Sequence, residues 1–114
     1  MTVAVKLGSG IFDGGVVMPV YVTLFKFTDA GAANIKEVPE KIAEGRKTAE
    51  ELGGKVLGVY VTMGEYDLVS VSEWPSDEAA ATTALAISSR GNARTITMRA
   101  FTEQEFAGIA KKVP

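Results

Sequence analysis

The sequence predicts an α+β domain, a four-stranded antiparallel sheet with helices on one face. Three observations predict it. Segments rich in β-branched and aromatic residues alternate with segments of helical periodicity, in the order β-α-β-β-α-β. Glycine, proline or a capping residue marks almost every junction between them. The 114 residues, 46% apolar and 23% charged, suit one domain able to bury its own core.

Each element has a local cause. Val20–Phe27, VYVTLFKF, is β-branched and aromatic and predicts the first strand. Asp29-Ala30-Gly31 reads as a turn. Ile35, Val38, Ile42, Ala49 and Leu52 fall at helical spacing. Pro39 suits the first turn of a helix and no deeper position, so the helix starts near Pro39 and Ile35–Val38 is a preceding turn. Gly53-Gly54 ends it. Val56–Met63 and Tyr66–Trp74 predict two strands joined tightly at Gly64-Glu65, an antiparallel hairpin. Pro75 stops the second of them. Ser76 is an N-cap, and Asp77 and Glu78 suit the positive end of an alanine-rich helix running to about Arg90. Gly91-Asn92 ends that helix and Ala93–Phe101 is the fourth strand. Thr102 to Glu105 is a capping box for a short last helix carrying Phe106 and Ile109. The order βαββαβ, plus that C-terminal helix, is the ferredoxin-like split β-α-β pattern.

Residues 1–17 hold four of the chain's twelve glycines, with a linker-like GSG at 8–10. They are expected to be a leader, tag or extension, with a single domain over 18–114. No apolar stretch approaches the length of a spanning helix and no signal-peptide pattern opens the chain, so a cytoplasmic protein with no membrane contact is expected. The net charge of −2 argues against a nucleic-acid partner. The chain has no cysteine and no histidine. Disulfides, thiolate chemistry, a Ser-His-Asp triad and a haem held by a histidine are thereby excluded. No metal and no cofactor are expected.

Alternation sorts the strand residues into two sets. Val20, Val22, Leu24, Leu57, Val59, Val61, Val69, Val71, Ile96, Met98 and Ala100 are all apolar. This set is expected under the helices. The other set mixes rings, hydroxyls and one arginine: Tyr21, Thr23, Phe25, Phe27, Tyr60, Thr62, Tyr66, Leu68, Ser70, Ser72, Trp74, Thr95, Thr97, Arg99 and Phe101. It is too aromatic to be left to water and too rich in hydroxyls for an ordinary core. A homodimer or higher homo-oligomer whose sheets enclose a partly polar cavity would accommodate it, with a small-molecule pocket walled by Tyr21, Thr23, Phe25, Tyr60, Thr62, Ser70, Ser72 and Thr97, and Arg99 as the anion-binding group. The plainer alternative is a wet subunit interface with cross-strand hydroxyl pairs.

Gly64-Glu65-Tyr66-Asp67 is the remaining candidate. Tyr66 and Asp67 could form a hydroxyl-carboxylate pair at a pocket mouth, Asp67 as general base and Arg99 as oxyanion partner. Equally, Gly64 supplies a turn and Asp67 bonds nearby backbone amides.

This Gly-x-Tyr-Asp core resembles the GYD-domain family. The similarity also includes MPVYVTLFKFT (18–28), NIKE-x-P (34–39), LGGK (52–55), EWPSDEAA (73–80) and GNARTITMRAFTEQEF (91–106), and so covers 18–114. The resemblance implies the ferredoxin-like fold and kinship with the dimeric α/β-barrel superfamily, whose members include cofactor-free monooxygenases, lactone isomerases, haem-binding enzymes and stress-responsive proteins. It implies no settled activity. Three readings therefore stand: an oligomeric small-molecule-binding protein, a cofactor-independent enzyme on a small aromatic or carbonyl compound, and a purely structural assembly module.

Overall fold

The computed structural model describes residues 18–114. The leader expected at residues 1–17 lies outside the described residues. The elements are β1 (Val20–Phe27), α1 (Asp29–Ala33), a 3-10 turn (Ile35–Glu37), α2 (Val38–Glu51), β2 (Lys55–Val61), β3 (Leu68–Glu73), α3 (Asp77–Ser89), β4 (Ala93–Ala100) and α4 (Glu103–Ala110). The four strands form one antiparallel sheet in the order β2-β3-β1-β4. This is the expected split β-α-β arrangement. Among the described residues, no helix is long and apolar enough to cross a membrane.

The caps explain most boundaries. Ser76 Oγ accepts the Ala79 amide at the start of α3, and Thr102 and Glu105 complete a reciprocal capping box at α4. Pro39 sits in the first turn of α2. Gly53, at φ 86°, takes the left-handed conformation that ends that helix. One element differs from expectation. Asp29 to Gly31 does not merely turn but opens the short helix α1, because the Thr28 side chain accepts the Gly31 amide.

The faces of the sheet are reversed from the sequence expectation. The ring-and-hydroxyl set, with Thr23, Phe25, Ser70, Ser72 and Trp74, lies toward the helices. The register shows the apolar set on the outer side as continuous rows: Gly58–Val71–Val22–Met98 and Tyr60–Val69–Leu24–Ile96. Ile96 and Met98 are 47% and 43% exposed. The reason is bulk. In the buried cluster the helices supply only the short side chains Ala49 and Ala80, and the rings of Tyr21 and Trp74 come from the sheet side. Tyr21, Ala49, Trp74 and Ala80 form the buried cluster, with Val56 and Ala79 against it. An all-apolar face does not have to meet its own helices, since another layer can cover it.

A β-bulge between Val56 and Gly58 makes a second correction. It swaps the parity of the rest of β2. Val59 turns inward to line the same cavity as Ser70, while Tyr60 turns outward and is 65% exposed.

Candidate functional site

The packing of the helices creates the site. α2 packs on β2 and α3 on β4, the two edge strands. The central strands β3 and β1 thus lie beneath the gap between the helices. Gly45 and Ala49 from α2 and Ala80 and Ala84 from α3, each pair four residues apart on one helix face, leave room there between the longer Ile42 and Ile87. A cavity of about 230 Å³ remains. Its floor includes Thr23, Phe25, Phe27, Ser70, Ser72 and Trp74. A water occupies roughly 30 Å³ of liquid, so the space suits several waters or a small organic molecule.

Five of the expected pocket residues come together here: Thr23, Phe25, Ser70, Ser72 and Thr97. Their hydroxyls are partly engaged. Thr23 Oγ1 and Thr97 Oγ1 are 3.3 Å apart across the β1–β4 ladder, and Ser72 Oγ accepts the Trp74 indole N–H at 3.0 Å. Tyr60 is not among them, because of the bulge. Thr62 is not either; its hydroxyl donates to the Tyr66 carbonyl at 2.6 Å within the β2–β3 connection.

Asp67 holds the fold at that connection. Its Oδ2 accepts the Phe27 amide at 2.8 Å, its own amide donates to the Phe25 carbonyl at 2.9 Å, and its carbonyl accepts the Thr62 amide at 2.9 Å. Gly64, at φ 106°, supplies the turn before it. Arg99 pairs across the sheet with Tyr21, six positions along β1 from Phe27, or about 20 Å at strand rise. The structure does not bring Asp67 and Arg99 together.

Arg99 belongs to a different cluster at the far end of β1. Its guanidinium lies 4.6 Å from the Phe101 ring centroid and 5.8 Å from that of Tyr21. Such cation-π contacts hold the planar cation in place. The guanidinium also donates to the Ala100 carbonyl. The Tyr21 hydroxyl donates to Asp77 Oδ1 in the first turn of α3.

Burial first, then the hydrogen bond and charge of Asp77, push the Tyr21 phenol up to about 12, against the opposing pull of Arg99. The folded chain keeps this proton up to about 12, whereas the unfolded chain releases it near 10.0. Stability from this group is therefore complete below pH 10 and lost as pH rises from 10 to 12, by at most about 3 kcal/mol. Melting curves from pH 8 to pH 12 should fall more steeply for the wild type than for Tyr21→Phe. Equal slopes would contradict this account.

Sequence reasoning missed the helical half of the cavity. Gly45, Ala49, Ala80 and Ala84 could have been found from the recurrence of small residues four apart. Val59 belongs to the set expected under the helices and lines the cavity there, and Gly58 inside KVLGVYV is the residue that signals the bulge. Among the described residues, no group of three metal-ligating side chains is clustered closely enough to hold a metal.

The GYD domain family matches residues 21–110 of the chain. A curated protein of Thermus thermophilus, named glutamine synthetase and cystathionine beta-lyase binding protein, is 34% identical over 84 residues, covering 73% of this chain and 88% of that protein. No solved structure matches the chain.

Proposed function

The chain belongs to the GYD domain family, and from that premise we propose that it is a cytoplasmic, homo-oligomeric binding protein that docks on metabolic enzymes. The observation that carries the reading is the outer face of the sheet. Val22, Leu24, Val69, Val71, Ile96 and Met98 make a continuous apolar surface on the side away from the helices that pack on the sheet. Uncovered apolar surfaces of this kind mark association sites. A second copy suits it, because a twofold axis brings two such sheets together with each row meeting its equivalent. Phe106 and Ile109 of α4 are also exposed.

The Thermus relative's name supports the enzyme-docking part. The partners to test first are therefore a glutamine synthetase and a cystathionine β-lyase from the same organism. Purified protein mixed with either enzyme at tens of micromolar should co-elute in size-exclusion chromatography and show a mixed complex by native mass spectrometry. Independent elution from both enzymes would overturn the docking reading. A catalytic role has less support. Asp67, the carboxylate that would serve as base, is engaged by the Phe27 amide, and Arg99 stands at the other end of the strand.

A further inference from the structure

We infer that the gap between α2 and α3 is a binding site for a small hydrophobic monocarboxylate, such as an aryl-substituted short-chain acid. The inference does not depend on enzyme docking. Three observations meet at this place. The first is size. A dry cavity of roughly 150 Å³ holds a benzene ring, so about 230 Å³ accommodates a ring with a short chain. Phe25, Ile42, Leu68 and Ile87 offer it apolar walls.

The second is Gly45. It sits inside the 14-residue helix α2, where alanine is the better helix former. A Cβ at this position would meet nothing within 4 Å. No close approach explains the glycine; its effect is to leave the gap open. The third is charge. Among the described residues, the ionised side chains lining the cavity are Lys41, Arg46 and Arg90, and no carboxylate lines it. The chain as a whole has 14 acidic and 12 basic residues, so this selection is local. Lys41 and Arg46 belong to α2 and Arg90 caps the C-terminus of α3, so the cations flank the gap, where they can meet a carboxylate while the apolar part of the ligand lies below. A largely apolar cavity edged by cations fits an amphipathic acid better than a phosphate, which would need a cradle of backbone amides.

Trp74, the single tryptophan, lines the cavity and reports on it directly. Its fluorescence should change saturably on titration with phenylpropionate. Phenylpropanol, the neutral counterpart, should bind at least about tenfold more weakly, a difference worth one charge-assisted contact. The double variant R46Q/R90Q should bring acid and alcohol close to parity. Gly45→Leu should abolish the response with an unchanged circular dichroism spectrum; Gly45→Ala, a smaller filling, should weaken it in step. No saturable response up to the solubility limit would overturn the inference and leave the gap to another segment or to a partner's side chain. So would equal affinities for acid and alcohol, or a response that survives in a folded Gly45→Leu. Co-elution with an enzyme is read independently, so either proposal can fail without the other.

Discussion

Val22→Glu is expected to leave the protein monomeric. Val22 lies on a central strand, between Val71 and Met98 in the outer row. The isolated subunit should tolerate the change, because this face is not packed under the helices. In a twofold assembly the new carboxylate would be desolvated and would approach its own copy across the axis. A cost of about 4 kcal/mol is modest for such a pair and weakens association by roughly a thousandfold. Sedimentation equilibrium at tens of micromolar should show an oligomer for the wild type and a monomer for Val22→Glu. Thr82→Glu, at an exposed position of α3, should leave the mass unchanged. A wild type that is already monomeric, or a Val22→Glu variant of full oligomeric mass, would remove the basis of the proposed assembly.

The same substitution at two glycines should have opposite signs. A Cβ on Gly31 would lie 2.0 Å from the backbone carbonyl oxygen of Asn92. That oxygen cannot step aside, since it accepts the Thr28 amide at 3.1 Å. The neighbouring Gly91 carbonyl accepts the Thr28 hydroxyl at 2.6 Å, so the start of α1 is docked on the turn between α3 and β4. Gly31→Ala must pry these segments apart, at about 3 kcal/mol, and lower Tm by on the order of 15 °C. Gly45→Ala meets open space and gains helix propensity, so it should raise stability by roughly 1 kcal/mol. Thermal melts of the two variants side by side decide the matter. A Gly31→Ala protein as stable as the wild type would mean that the contact is not tight.

The caps and breakers made the elements legible. Ser76, Pro39, Gly53 and the Thr102–Glu105 box act within a few residues of chain, so their effect can be read without knowing the fold. α1 was less legible because five residues carry no period; only the Thr28 side chain betrays it. The site was half legible. Thr23, Phe25, Ser70, Ser72 and Thr97 were recognisable as one face with mixed character. Tyr60 was assigned to that face by an alternation that the bulge breaks. Asp67 suits a turn better than catalysis on local sequence, and its hydrogen bond to the Phe27 amide is a long-range contact that local sequence cannot supply.

The sequence by itself determined the order of elements, the ferredoxin-like class and the division of the strands into an apolar and a ring-bearing set, because these follow from local propensity and the two-residue period of a strand. Only the tertiary structure decided which set the helices cover. That choice depends on complementary volume across the layers: helices that present Gly45, Ala49, Ala80 and Ala84 leave space that Phe25, Phe27 and Trp74 only partly fill. The same shortfall of volume leaves the cavity beneath the helices and turns the valine-rich face outward.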